Sequence, residues 1–296
     1  MSQVQSNHAP AVSATSPSRP PTVWLNGDLV AADAAQISPF DHGLLTGDGV
    51  FETLKTYGGK PFEMERHYLR MQHAAKRFGI AVPSLEELGS AVDQVLKAND
   101  KSDADARLRI TVTSGVAPLG SEQGDSGPTA VIAVGGLPQH PEVGDAITVE
   151  FCRNDVGALT GLKTTSYGDN VIALAQAHKA GVNEAIFPNT KGNLCEGTGS
   201  NVFVVYDGQL ITPPLSCGGL AGVTRAVVLE LCEKSNISVK EIDTPITQLG
   251  EAEEVFLTST LREVMPLASI DGRQLPESKP IGEQVRALFN EFTGKQ

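Results

Sequence analysis

Two residues have types and surroundings that could support chemistry: a lysine and a glutamate. Lys163 lies in Gly161-Leu-Lys-Thr-Thr-Ser-Tyr-Gly-Asp-Asn170, between a strand-like run and a helical run. If an apolar pocket holds its ammonium group, desolvation lowers its pKa and frees the amine for imine chemistry. Glu196 stands just before a Gly-Thr-Gly-Ser turn. A carboxylate buried there needs a partner, and a protonated ring nitrogen would suit it. The alternatives are a solvated surface lysine and a glutamate that accepts from nearby N–H groups.

Two further segments could bind an anion. Gly222-Val-Thr-Arg225 opens a predicted helix, whose free N–H groups and positive dipole end would suit a phosphate. The hydroxyl-bearing segment Thr258-Ser-Thr260 follows directly on a predicted strand. Taken alone, the first segment is an ordinary Thr N-cap and the second an ordinary strand end.

Helix and strand patterns supply the elements that must position these residues. Apolar residues at three- and four-residue spacing predict a helix over 63–78, which contains Arg70, and Ser84 with Glu87 predicts a capped helix over 84–98. An Asn-Gly turn predicts a hairpin over 23–30. Further strands are expected at 107–113, 129–134, 147–152, 184–188, 201–206 and 255–257, and helices at 171–179, 224–234 and 281–292.

The composition is that of a globular protein and limits its partners. Of the 296 residues, 40% are hydrophobic and 20% charged, and the net charge is −12. This charge argues against a nucleic-acid or anionic membrane surface, because both require basic patches. No apolar run approaches the roughly 20 residues that span a bilayer. The four cysteines lack zinc-ligand spacing, so we expect reduced thiols and a cytoplasmic protein.

The chain divides most naturally into two domains. Residues 1–21 are rich in Ser, Pro, Ala and Gln without the apolar core of a secretory signal, which predicts a disordered tail. The proline-containing segment 138–146 predicts a linker. It would separate a small N-terminal domain, 22–137, from a larger domain, 147–296. The Gly-rich loop 115–127 is either a mobile gate or a surface loop.

Taken together, the motifs resemble the class IV, or fold type IV, pyridoxal-phosphate enzymes. The matching segments are those around Lys163 and Glu196, Leu220 to Arg225, the strand ending at Thr260, His67-Tyr-Leu-Arg70 and Asp48-Gly-Val-Phe-Glu52. The resemblance covers about residues 22–292. It implies a two-domain α+β or α/β fold like that of D-amino-acid aminotransferases, with a small N-terminal α/β domain and a larger C-terminal domain that binds pyridoxal 5′-phosphate. It also implies a homodimer whose loops complete each site.

The resemblance also implies a role for each matched residue. Lys163 would form the Schiff base with pyridoxal phosphate and then move protons, and Glu196 would pair with the pyridinium nitrogen. Tyr167 would donate to the phenolate oxygen of the ring. The remaining cofactor contacts would be Arg70, Leu220, Val223, Thr224 and Thr260. Arg109 and Phe51 would contact a small amino substrate, although an exposed strand arginine is an equal alternative for Arg109.

The motifs leave the reaction open within the family. D-amino-acid aminotransferases carry an arginine followed two residues later by a histidine, and the matching segment 112–118 has neither. The compact length and the Gly-Asp-Gly-Val-Phe-Glu-Thr start favour aminodeoxychorismate lyase, which converts 4-amino-4-deoxychorismate to p-aminobenzoate and pyruvate in folate synthesis. The alternative is a class IV amino-acid aminotransferase, for branched-chain or D-amino acids. A third hypothesis is a non-catalytic protein that binds the cofactor or acts as a scaffold. It is disfavoured because Lys163, Glu196 and Arg70 are all intact.

Overall fold

The computed structural model describes residues 20–295, and most of the predicted tail lies outside that range. Within it, helices and two β-sheets form the two-domain α+β arrangement expected from the sequence. No helix in residues 20–295 is long and apolar enough to cross a membrane. The exact domain limits remain a prediction.

The first sheet contains six strands and begins with the predicted hairpin. Asn26 and Gly27 take positive φ values of 51° and 109°, which the tight Asn-Gly turn requires. The strands are β1 Thr22–Leu25, β2 Asp28–Ala31, β3 Gly49–Tyr57, β4 Lys60–Pro61, β5 Arg107–Thr113 and β6 Thr129–Gly135. Their order in the sheet is β2-β1-β6-β5-β3-β4.

Helices cover one face of this sheet and leave the other for the site. A short helix, α1 (His42–Leu45), precedes β3, and α2 (Met64–Phe78) and α3 (Leu85–Ala98) follow it. Alternate apolar residues of β3 and β5 pack against α2 and α3. The residues between them face the other way, because side chains alternate along a strand. Thr53 thus lies opposite Arg109 on the free face.

The second sheet has nine strands: β7 Gly144–Thr148, β8 Glu184–Pro188, β9 Leu194–Gly197, β10 Asn201–Tyr206, β11 Gln209–Thr212, β12 Val239–Glu241, β13 Glu254–Ser259, β14 Glu263–Ile270 and β15 Arg273–Gln274. Their order in the sheet is β12-β11-β10-β13-β14-β7-β8-β9, with β15 beside β14. The helices packed on it are α4 Gly168–Lys179, α5 Val223–Lys234 and α6 Pro280–Thr293.

One predicted strand, 147–152, is wrong in its position. The strand β7 runs from Gly144 to Thr148, so it begins inside the predicted linker. Glycine suits this position because a Cβ on Gly144 would lie 2.8 Å from the Met265 Cε atom. The apolar alternation continues through Val149 and Phe151, but the chain leaves the sheet after Val149, whose N–H still donates to the Ile186 carbonyl at 3.1 Å. Helix α4 also begins earlier than predicted, at Gly168 rather than Val171.

Hydrogen bonds join the first sheet to the segment that carries Lys163. The Phe51 N–H donates to the Lys163 carbonyl at 3.2 Å, and the Thr165 N–H donates to the Gly49 carbonyl at 2.8 Å. Farther along β3, Lys55 Nζ donates to Glu263 at 2.6 Å. These contacts fix the lysine segment against β3, so both sheets contribute to one site.

Candidate active site

A cavity of about 760 Å³ opens between β3 and β5, the lysine segment and the start of α5. It brings together every site residue predicted from the sequence. These are Phe51, Arg70, Arg109, Lys163, Tyr167, Glu196, Leu220, Val223, Thr224 and Thr260. The role of each one remains a prediction. The loop 115–127 contributes no residue to the cavity wall within residues 20–295.

The Lys163 amine lies deep in this cavity, against aromatic rings. Its Nζ atom lies 4.2 Å from the centre of the Phe51 ring and 5.6 Å from that of Tyr167. Burial lowers the pKa of Lys163 to about 8, although the charges of Glu52 and Glu196 act in the opposite direction. About a tenth of the amine is therefore neutral, and nucleophilic, at pH 7, far more than for an ordinary lysine.

Glu196 is the buried carboxylate of β9, and its partners are few. One oxygen accepts from Arg153 Nε at 2.9 Å, and the other accepts from the Leu220 N–H at 2.8 Å. Burial raises the pKa of Glu196 above its usual value, although Arg153 opposes the shift. Arg153 is itself placed by Asn170, whose side-chain oxygen accepts from Nη1 at 3.1 Å, and it stacks over Phe187.

Sequence reasoning missed Arg153. It lies in Cys-Arg-Asn-Asp, outside any recognisable pattern. The one available signal was the general requirement that a buried carboxylate has a charged or hydrogen-bonding partner. That rule predicts that a partner exists but does not identify it. Pro138 and His140, from the predicted linker, also line the cavity unexpectedly.

Arg70 reaches the cavity from α2 and is held there by a second buried carboxylate. Its Nε and Nη2 atoms donate to the two oxygens of Glu52 at 2.8 and 2.6 Å, and Nη1 donates to the Ala221 carbonyl at 2.9 Å. His67 Nδ1 lies 2.7 Å from the same carboxylate. Burial alone would raise the pKa of Glu52, but Arg70 and His67 together lower it to about 2.

The start of α5 has polar atoms without partners. The Thr224 and Thr258 hydroxyls are buried and make no hydrogen bond within residues 20–295. The N-cap residue is Gly222, and no side chain caps the helix there. The plain Thr N-cap considered from the sequence is therefore absent. A Cβ on Gly222 would lie 1.9 Å from Asn201 Oδ1, so a larger residue would require the Asn201 side chain to move. Free helix N–H groups and unpaired hydroxyls suit a phosphate.

Three other predicted residues complete the cavity wall. Leu220 lines the cavity beside Glu196. The Tyr167 hydroxyl donates to the Thr198 carbonyl at 3.0 Å, and burial raises its pKa to about 12. Its predicted contact with the cofactor ring would therefore be made by a neutral hydroxyl. The Thr260 hydroxyl lies 3.4 Å from His67 Nε2.

Arg109 provides a cation on the substrate side of the cavity. Its guanidinium carbon lies 3.3 Å from the centre of the Phe51 ring, and its Nε donates to the Thr111 hydroxyl at 3.1 Å. Part of the side chain is open to solvent, but burial of the guanidinium among its neighbours lowers the pKa of Arg109 to about 10. Arg107, two residues earlier on the same face of β5, also lines the cavity. Neither arginine pairs with a carboxylate of residues 20–295, so both are available to an anionic substrate.

These features fit pyridoxal phosphate. The unpaired hydroxyls and helix start match its phosphate, the incompletely paired Glu196 carboxylate matches its ring nitrogen, and the Lys163 amine matches its aldehyde. Arg107 and Arg109 lie outside this set and are left for a substrate.

The chain is similar to known proteins over most of its length. Residues 49–270 match the family model described as amino-transferase class IV. The chain is 38% identical over 276 residues to a putative branched-chain-amino-acid aminotransferase of Methanocaldococcus jannaschii, covering 91% of this chain and 94% of that protein. It is 31% identical over 270 residues to the aminodeoxychorismate lyase of Bacillus subtilis, covering 90% and 92%.

A solved structure shows the same fold. It is a branched-chain aminotransferase from Thermoproteus uzoniensis with norvaline, which superposes with a TM-score of 0.86 at 30% identity. The match covers 93% of this chain and 96% of that one.

Proposed function

This chain belongs to the class IV aminotransferase family of pyridoxal-phosphate-dependent enzymes, and we propose that it transfers an amino group between a carboxylate-bearing amine and a 2-oxo acid. One observation carries the proposal. The Lys163 amine and the Arg109 guanidinium both lie against the Phe51 ring, at 4.2 and 3.3 Å from its centre. A proton-moving group and a carboxylate-binding group are therefore placed to act on one small molecule.

The roles of the buried residues follow from their chemistry. When bound, pyridoxal phosphate supplies an electron sink for the carbon that carries the amine. Lys163 removes the proton from that carbon and returns it, as a base with a pKa near the working pH does efficiently. Glu196 holds the proton on the ring nitrogen, and Arg153 orients Glu196. Tyr167 would donate to the ring oxygen by turning its hydroxyl hydrogen away from the Thr198 carbonyl, to which it donates at 3.0 Å.

The phosphate-binding end combines two hydroxyls that have no hydrogen-bond partner in residues 20–295 with an arginine that is already paired. Thr224 and Thr258 offer these hydroxyls, the first residues of α5 line the same cavity, and Thr260 extends the set. Arg70 supplies the positive charge, and Glu52 holds its guanidinium in position. Val223 contributes its backbone N–H and Leu220 packs against the ring.

Amino transfer is the first candidate because a relative named for it is 38% identical to this chain, against 31% for the lyase. The 38% identical relative and the superposed structure at 30% identity are both named branched-chain aminotransferases. Arg109 and Arg107 offer two cations on one strand face, roughly 7 Å apart along the backbone. This spacing suits amino acids and 2-oxo acids with one or two carboxylates.

Aminodeoxychorismate lyase activity is the second candidate. The lyase of Bacillus subtilis is 31% identical over most of both chains. The substrate 4-amino-4-deoxychorismate carries two carboxylates, which the two free arginines could also bind. Both reactions begin with loss of a proton to Lys163, so the cofactor end of the cavity fits either one.

A homodimer is part of the proposal. Phe40, Leu44, Leu45 and Leu119 expose between 41% and 76% of their surfaces around α1 and the loop 115–127, which supports a contact with a second copy. Since that loop adds nothing to the cavity of its own chain, its proposed gating role would apply to the site of the partner subunit. The four free cysteines fit a cytoplasmic location.

Product analysis on the cofactor-loaded enzyme tests the reaction. One arm supplies D- and L-amino acids with 2-oxoglutarate and measures glutamate; the other supplies 4-amino-4-deoxychorismate and measures p-aminobenzoate. Glutamate without p-aminobenzoate supports amino transfer, and the reverse result supports the lyase. Arg109→Gln should raise KM at least about 10-fold through loss of a charged hydrogen-bond partner, whereas Arg273→Gln, on an exposed edge strand, should not. No product in either arm would contradict both candidates.

A further inference from the structure

Two buried thiols lie in contact directly behind the Glu196 side of the cavity. Cys195 and Cys217 are each 2% exposed, and their sulfur atoms are 3.5 Å apart. Cys195 Sγ also lies 3.3 Å from the Cys217 carbonyl oxygen. A disulfide bond is about 2.05 Å long, so the two sulfurs need to approach by only about 1.5 Å to form one.

We propose that this thiol pair is an oxidation site, at which a peroxide forms a disulfide that loosens the hold on Glu196. Cys195 is the residue next to Glu196 on β9, and Cys217 lies three residues before Leu220. Glu196 accepts one of its two protein hydrogen bonds from the Leu220 N–H. Cys195 is therefore adjacent in sequence to the acceptor of that hydrogen bond, and Cys217 lies three residues before its donor.

The chemistry balances with hydrogen peroxide as the oxidant. Contact with the Cys195 thiol lowers the pKa of the Cys217 thiol, although burial opposes this, so Cys217 is the better nucleophile. Its sulfur attacks one peroxide oxygen, the O–O bond breaks, and water leaves behind a sulfenic acid. The Cys195 sulfur then attacks the Cys217 sulfur and displaces the oxygen as a second water. Two thiols are oxidised while one peroxide is reduced.

Packing around Gly218 explains why the disulfide would be felt at Leu220. Gly218 has a φ of 97°, and a Cβ there would lie 2.7 Å from the Asp155 Cβ atom. The chain is therefore closely packed immediately after Cys217. Only Gly218 and Gly219 separate Cys217 from Leu220, so we expect a displacement of Cys217 to shift the Leu220 N–H. Gly218 and Glu196 line the cavity, and each directly follows one of the two cysteines in the sequence. A small oxidant in a cavity without cofactor therefore reaches the residue next to each cysteine.

Coupling between oxidation and cofactor binding must be reciprocal. If the disulfide weakens cofactor binding, bound cofactor must disfavour the disulfide by the same factor. We expect oxidation to weaken pyridoxal phosphate binding about 10-fold, the effect of losing one hydrogen bond to a charged group. Peroxide should correspondingly oxidise the cofactor-free chain more readily than the loaded chain.

The experiment uses the full chain with Cys152→Ser, which removes the exposed thiol. Cofactor-free and cofactor-loaded samples are treated with hydrogen peroxide. The intact mass, the peptides of a non-reducing digest and pyridoxal phosphate binding are then measured. The expected result is loss of two hydrogen atoms, a linked Cys195–Cys217 peptide, and weaker cofactor binding that dithiothreitol restores. In this background, Cys195→Ser and Cys217→Ser should abolish the linkage, and Cys232→Ser should not.

Two results would overturn the proposal. Oxygen adducts without a linked Cys195–Cys217 peptide would show that the pair is not a disulfide site. A linked peptide with unchanged cofactor binding would remove the connection to Glu196. Both readouts are independent of which reaction the enzyme catalyses.

Discussion

Two buried carboxylates, Glu52 and Glu196, carry charges that favour the protonated Lys163 amine, and each is paired with an arginine. Their pKa values nevertheless shift in opposite directions. Arg70 and His67 together place three nitrogen atoms around Glu52 and lower its pKa to about 2. Glu196 has a single arginine contact and one backbone N–H, and burial raises its pKa.

The difference separates a structural carboxylate from one that is prepared for a ligand. Glu52 is fully satisfied within the protein and holds Arg70 in place. Glu196 keeps part of its desolvation cost uncompensated, and a cationic ring nitrogen would compensate it. Substitutions at the two sites should therefore have different effects, and each of the following experiments is a test of that contrast.

Glu196→Gln should have the largest effect. The amide retains the size of the side chain but cannot hold a proton on the ring nitrogen, so turnover should fall at least about 100-fold, as when an acid–base contribution is lost. Steady-state kinetics on cofactor-loaded protein measures this. Circular dichroism should show an intact fold. Turnover within a factor of two of the wild type would place Glu196 outside the catalytic machinery.

Glu52→Gln should change acid stability instead. Because the folded pKa of Glu52 lies near 2 and its ordinary value is 4.5, its stabilising contribution is complete above pH 4.5 and is lost as the pH falls toward 2. Between these limits the wild type should lose about 3 kcal/mol more unfolding free energy than the variant. Denaturant titrations at several pH values measure this. Parallel curves for the two proteins would show that Glu52 does not titrate as described.

Arg70→Ala should weaken cofactor binding by about 10- to 100-fold, the cost of one lost charged hydrogen-bond partner. Equilibrium dialysis with pyridoxal phosphate measures the change. Arg66→Ala is the matched control, because Arg66 lies on the same helix but pairs with Glu230 and does not line the cavity. Equal effects of the two substitutions would argue against a phosphate contact for Arg70.

The smallest expected effect is a shift in pH dependence. The neutral Lys163 amine is the reactive form, so cofactor capture by the cofactor-free protein should speed up as the pH rises and level off above about 8. Stopped-flow absorbance between pH 6 and pH 10 would follow it. A midpoint near 10, the value of an exposed lysine, would show that the amine is not desolvated.

The sequence could predict residues that line one cavity because its motifs are local. The segments around Lys163, Glu196 and Thr224 each combine a reactive side chain with the turn or helix start that positions it. Their convergence on one cavity could be expected only from the family resemblance. Arg153 escaped prediction because its partner, Glu196, is 43 residues away and no short motif links them.

The strand predictions were wrong or incomplete where contacts between distant parts of the chain determine the backbone conformation. Gly144 resembles linker sequence, yet it pairs with Leu267 of β14 at the start of β7. Pro266 obscures β14, since proline is unusual within a sheet, although it pairs with Phe256 of β13. The elements with strong local signals, such as the capped helix α3 and the Asn-Gly hairpin, were predicted to within about a residue.

Direct mapping of the cofactor attachment is the measurement that bears most closely on the site as a whole. The loaded protein would be reduced with borohydride, digested and examined by mass spectrometry, with Lys163→Ala as the control. We expect the phosphopyridoxyl group on the peptide containing Lys163, and no labelled peptide from the variant. A label on another lysine, or equal labelling of the variant, would contradict the assignment of this cavity as the active site.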